Sequence, residues 1–140
     1  MEQGMLSITV LKNGVVEVSA PAIIGAGMAK FEAGSRNGYP EVNCLPNGRE
    51  LKAVILFAGY SITSNKVGDK IEVNIKASTV ADKNKEIQAL RGNDCQNLSP
   101  HQVEVLDRSM SIPFETTTSP RTLDLGNGYS LRWSLAIEKI

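Results

Sequence analysis

Few side chains in this sequence are equipped for chemistry. His101 is the one histidine, and Cys44 and Cys95 are the two cysteines. A nucleophilic cysteine needs a base within reach and surroundings that hold its thiol pKa down. Cys95 lies near His101 in sequence, but "GNDC" supplies neither a helix N-terminus nor a basic neighbour. "HQVE" sets His101 and Glu104 three apart, a spacing that shares a face only on a helix. A zinc site needs three or four such ligands at characteristic intervals, and the rest of the set is missing from the sequence. The fifteen acidic residues are scattered, with no spacing that marks the paired carboxylates of a glycosidase. In "IIGAGMAKFEAG", Gly25 and Gly27 follow an apolar run as in a dinucleotide loop. The third glycine of that fingerprint is replaced by Lys30, and no βαβ unit follows. That stretch reads as a Gly-rich crossover between strands. The expectation is a protein that is not an enzyme, with no cofactor and no metal.

The cysteines suit a different role. "YPEVNCLPNGRE" and "RGNDCQNLSPHQ" are polar and rich in turn formers, whereas a free structural cysteine behaves as a small buried hydrophobe. A Cys44–Cys95 disulfide is expected, contributing about 4 kcal/mol by the chain-entropy model. Such a bridge implies a secreted or periplasmic setting; two reduced thiols in a cytoplasmic protein are the alternative. "MEQGMLSITV" lacks the basic and apolar regions of a signal peptide, as a mature domain would.

The elements that hold these residues read as strands. Asn-Gly, which supplies the positive φ values of tight hairpin turns, occurs at Asn13-Gly14, Asn37-Gly38, Asn47-Gly48 and Asn127-Gly128. "LSITVLKNGVVEVSA" is strand, turn, strand, and "RTLDL" and "YSLRWSLAI" flank a second hairpin. In the last strand Tyr129, Leu131, Trp133, Leu135 and Ile137 share one face, which makes Trp133 a core residue. "AVILFAG" has the length of a buried strand. Pro113 confines "SMSIPFETT" to an edge or a bulge, because proline has no N–H for the ladder. "ADKNKEIQALRG" reads as one short helix, and residues 100–108 are compatible with helix or strand. These elements predict an all-β fold: a single antiparallel β-sandwich over residues 1–140, Ig-like or jelly-roll-like. It would have about seven to nine strands and at most one or two short helices.

Composition narrows the partners. With fifteen basic and fifteen acidic residues and 5% aromatics, there is no basic field or stacking platform for nucleic acid. No apolar run approaches the ~20 residues of a membrane span. The final strand, "GYSLRWSLAI", is similar over a short stretch to the last strand of bacterial fimbrial subunits, where a Gly-x-Tyr entry precedes alternating apolar residues. Gly128 here stands directly before Tyr129, without the spacer. That resemblance would imply strand donation between subunits, but Asn13-Gly14 pairs "MLSITV" with "VVEVSA" in its own chain. The functional expectation is therefore a binding or structural β-sandwich of an extracytoplasmic surface, adhesion or appendage. Its partner would be a protein or a glycan, and a sheet edge could self-associate. "GSRNGYPEVN", carrying Arg36, Asn37 and Tyr39, is expected to be the recognition loop. An inhibitor or immunity protein acting through a disulfide-braced "RGNDCQNLSPHQ" loop is the alternative.

Overall fold

The computed structural model describes residues 2–81, 95 and 97–139. It contains eight strands: β1 (Glu2–Lys12), β2 (Val15–Ile24), β3 (Ala29–Leu45), β4 (Gly48–Val67), β5 (Lys70–Ala81), β6 (His101–Pro113), β7 (Arg121–Gly126) and β8 (Tyr129–Lys139). They form two antiparallel four-stranded sheets, ordered β2-β1-β8-β7 and β3-β4-β5-β6. The chain is an all-β sandwich, as its alternating pattern requires, and no helix occurs among the described residues. The segment expected to be helical lies outside them. Residues 100–108 resolve in favour of strand: from His101 onward they belong to β6. β6 is an edge strand, one of the two placements Pro113 allows, and Pro21 likewise sits in edge strand β2.

Contacts along the chain separate into two compact units. The first comprises Met1–Ala33, Tyr60–Lys76 and Asp107–Ile140; the second comprises Gly34–Gly59 and Ala77–Leu106.

In the first unit the two sheets meet through their apolar faces. Leu6, Ile8, Val10, Ile24, Leu131 and Leu135 from one sheet, and Ile62, Ile71, Val73 and Ile75 from the other, are almost wholly buried. Trp133 is 8% exposed and is a core residue. Its cross-strand partners are Ile8 on β1 and Arg121 on β7. Two hairpin turns have both central residues at positive φ, Asn13 at 51° with Gly14 at 81°, and Asn127 at 54° with Gly128 at 82°. That is the turn whose twist matches the flanking strands. The turns abut because Lys12 pairs with Tyr129, and the Asn13 amide donates to the Gly128 carbonyl at 2.8 Å.

The outer side of β8 is occupied within its own chain. β7 pairs with it as far as Trp133. Beyond that point the Thr117 amide donates to the Leu135 carbonyl, and Thr117 Oγ1 and Thr116 Oγ1 accept from the amides of Leu135 and Ile137. Gly4 leaves room for the Phe114 ring, since a Cβ there would lie 2.8 Å from Leu135 and 3.0 Å from Phe114. Lys66 Nζ sits 5.0 Å from the centre of that ring. Tyr60 is hydrogen-bonded to Tyr129, and Lys12 Nζ lies 5.1 Å from the Tyr129 ring centre. Burial, with Tyr129 and Glu17 nearby, raises the Tyr60 phenol pKa well above its usual 10.0.

The second unit departs from the sequence expectation. "AVILFAG" was expected to be buried, yet Ile55 is 75% exposed and nearby Leu51 is 56% exposed. Hydropathy measures what a side chain prefers, and the neighbours decide whether it is covered. Among the described residues of this unit, those buried are Val42, Ala77, Val80, Leu98, Pro100 and Leu106.

Candidate partner-binding edge

β3 is the outermost strand of its sheet, with β4 on one side. Near its C-terminal end it is covered by a strap of its own chain. The Val42 amide donates to the Leu98 carbonyl at 2.8 Å, and the Leu98 amide returns the bond at 3.0 Å. Asn97 Oδ1 accepts from the Cys44 amide at 2.8 Å. Cys44 and Cys95 are joined by the expected disulfide, with Cα atoms 5.9 Å apart. Cys44 is half-buried and Cys95 exposed, whereas Val42 and Leu98 are buried at 0% and 2%. The bridge therefore anchors a small apolar pair beside the strand edge.

Among the described residues the strap pairs at one position, and the sequence explains why it goes no further toward the start of β3. Two residues further along the antiparallel register, Pro40 comes opposite Pro100. Neither has an N–H, so the ladder ends there.

Beyond Pro40 the edge continues through the residues expected to form the recognition loop. Arg36, Asn37 and Tyr39 are not on a loop: all three lie in the interior of β3. Asn37 and Gly38 keep negative φ, and the chain reverses later, at Pro46 and Asn47. An Asn-Gly pair makes a turn only where strand pairing stops, and here β4 continues alongside. Gly34 to Gly38 are all exposed. Arg36 stacks its guanidinium 4.7 Å from the Phe57 ring centre. Asn37 Nδ2 donates to Ser35 Oγ at 3.2 Å, and Tyr39 is half-buried. At Gly34 a Cβ would run into the Ala58 carbonyl and Gly59, so the two strands approach closely there because both residues are glycine.

The amide of Phe57 donates to Gln102 Oε1 at 3.0 Å, and Gln102 Nε2 donates to Ser78 Oγ at 3.3 Å. One side-chain amide of β6 thus joins β4 to β5.

The candidate groups for chemistry do not assemble. Cys95 is consumed by the disulfide. His101 Nδ1 donates to the Ser99 carbonyl at 3.0 Å. His101 and Glu104 lie on a strand, where a three-residue spacing points to opposite faces. Among the described residues no three His, Cys, Asp or Glu side chains converge as metal ligands.

The sequence signal for the exposed β3 edge was available but indirect: two glycines flanking Arg36, then a proline. Comparison with protein-family models, with curated proteins and with solved structures finds no match for the chain.

Proposed function

We propose that this chain is a non-catalytic, protein-binding β-sandwich of an extracytoplasmic surface, adhesion or appendage structure. The observation that carries the reading is the exposure of Leu51 and Ile55, which lie four residues apart on β4 and so project from one face of that strand. Apolar surface left in water is costly to keep, and where it clusters on a folded protein it marks an interaction site. The Cys44–Cys95 disulfide supports an oxidising compartment, where such bonds persist. Protein is favoured over glycan because the exposed segment offers aliphatic side chains and a strand edge. Sugar sites typically rely on exposed aromatic platforms.

A photo-crosslinking residue placed at Ile55 in the native host tests the reading, with a second placed at the exposed Glu138 as reference. A defined protein adduct at position 55, absent at 138 and lost on Leu51→Lys, is expected. Equal labelling at both positions would discard the proposal. Thiol alkylation of the protein extracted without reductant should leave Cys44 and Cys95 unmodified, and modified thiols would remove the extracytoplasmic part.

A further inference from the structure

We infer that the Cys44–Cys95 bridge is a thiol-exchange site, attacked at Cys95 by an external dithiol, and that its reduction releases the strap from the β3 edge while the rest of the fold stays closed. The bridge then acts as a reversible clasp.

The two sulfurs are not equivalent. Cys95 is exposed, whereas Cys44 is half-buried on β3, a strand paired with β4. Thiol–disulfide exchange is an in-line displacement, in which the incoming thiolate approaches one sulfur from the side opposite the leaving sulfur. Attack on Cys95 therefore comes from the exposed end of the bridge, and attack on Cys44 would have to come from the strand side. Exposed disulfides are the labile ones, in contrast to structural bridges that resist reduction.

The exchange runs in two displacements. A thiolate of the dithiol bonds to Cys95 Sγ, the Cys44–Cys95 bond breaks, and the electron pair stays on Cys44 Sγ, which takes up a proton. The second thiol of the reagent, also as thiolate, then attacks its partner sulfur and expels Cys95 Sγ, which is protonated in turn. Two electrons and two protons pass from the dithiol to the cysteines, and the reagent leaves as a disulfide.

Packing sets what the cleavage releases. Val42 and Leu98 form a buried cluster of their own, so parting them opens nothing else of the core. Besides the bridge, the hydrogen bonds from described strap residues to β3 are the Val42–Leu98 pair and the one from the Cys44 amide to Asn97. Such bonds contribute little net, and they act against the conformational entropy of ordering the strap. The ladder cannot lengthen toward the start of β3 to compensate, because Pro40 comes opposite Pro100. Reduction thus uncovers Val42, which is 0% exposed under the strap, together with its N–H and C=O.

The test uses the full oxidised chain. Exposure to glutathione, a monothiol, is quenched with iodoacetamide and the adducts are located by peptide mass. Glutathione should be found on Cys95 and the alkyl group on Cys44; the reverse arrangement, an even distribution or no reaction would overturn the inference. Dithiothreitol then serves as the dithiol, with hydrogen exchange as the readout. The amides of Val42 and Leu98 should lose protection on reduction and regain it on reoxidation, while those of Leu6, Ile8 and Leu131 keep theirs throughout. Retained protection at 42 and 98 would refute the clasp. Loss of protection at all five amides would make the bridge a staple of the whole fold and refute it equally. The cleavage rate should rise in proportion to dithiothreitol and stay unchanged in dilute urea; a rate that follows global unfolding would show that the folded protein does not exchange. None of these outcomes touches the position-55 adduct, on which the protein-binding reading stands.

Discussion

Replacing Cys44 and Cys95 together by alanine should act on two scales, and the structure separates them. The bridge closes a loop with a sequence separation of 51 residues. In the chain-entropy model the unfolded state regains about 14 cal/mol/K when such a loop is opened, equivalent to about 4 kcal/mol at 25 °C. Small domains are stable by roughly 5–15 kcal/mol, so the variant should remain folded with much of its margin gone. The local effect follows from what else holds the strap. Without the bridge its described residues retain two backbone hydrogen bonds between Val42 and Leu98 and one from the Cys44 amide position to Asn97. Each contributes about 1 kcal/mol net, and burial of Leu98 adds about 2 kcal/mol. Those gains oppose the conformational entropy of ordering the strap, about 1–2 kcal/mol per residue. The strap should therefore open independently of the rest. Urea unfolding at constant m-value measures the global loss, and native-state hydrogen exchange at Val42 and Leu98 measures the local one. The expected result is a global loss of about 4 kcal/mol, with both amides exchanging through a much smaller local opening. Amides 42 and 98 that still exchange only with global unfolding would refute the view that the disulfide holds the strap.

Trp133→Ala should cost about 3–5 kcal/mol in chemical denaturation, because the indole is core; a loss below ~1 kcal/mol would contradict its packing. Gly128→Ala should lower stability by about 1–3 kcal/mol, since the residue has φ of 82° and its Cβ would meet the Asn13 side chain; an unchanged melting temperature would show that the abutting turns are not constrained as described. The raised Tyr60 pKa links to stability in alkali. The folded state holds the phenol proton more tightly than the unfolded state, so the contribution is fully present below the unfolded value of 10.0 and is lost as pH rises through the folded value. Circular dichroism on an alkaline titration should show destabilisation above pH 10.0 that is reduced in Tyr60→Phe; identical profiles would remove Tyr60 as a cause.

How far the sequence discloses this molecule depends on whether the signal is local. The turns at Asn13-Gly14 and Asn127-Gly128 are legible because the dipeptide favours the backbone angles found there. Asn37-Gly38 has the same chemistry and no turn, since long-range pairing of β3 with β4 overrides a preference worth little on its own. The burial of Trp133 follows from strict alternation in β8. The exposure of Ile55 does not follow from anything in "AVILFAG", because exposure is decided by elements distant in sequence. The disulfide was legible from the polar setting of both cysteines. Its function as an anchor for a strap required the positions of Val42, Asn97 and Leu98. Arg36, Asn37 and Tyr39 were singled out as loop residues, and the structure places them on an edge strand.

The sheet order β2-β1-β8-β7 has a kinetic consequence. Each of its hairpins, β1–β2 and β7–β8, closes through a two-residue turn, so each can form early, on the microsecond scale of isolated hairpins. The central seam is different. It runs from Glu2 opposite Lys139 to Lys12 opposite Tyr129, joining the most distant parts of the described chain. Closing it requires nearly the whole chain to be gathered first, and such non-local pairing slows folding to milliseconds or longer. Until then the inner edges of both hairpins are bare and carry the apolar faces of Leu6, Ile8, Leu131 and Trp133. The last step of assembly is thus also the one most exposed to aggregation, and the rate of that seam sets how much chaperone protection the nascent chain needs.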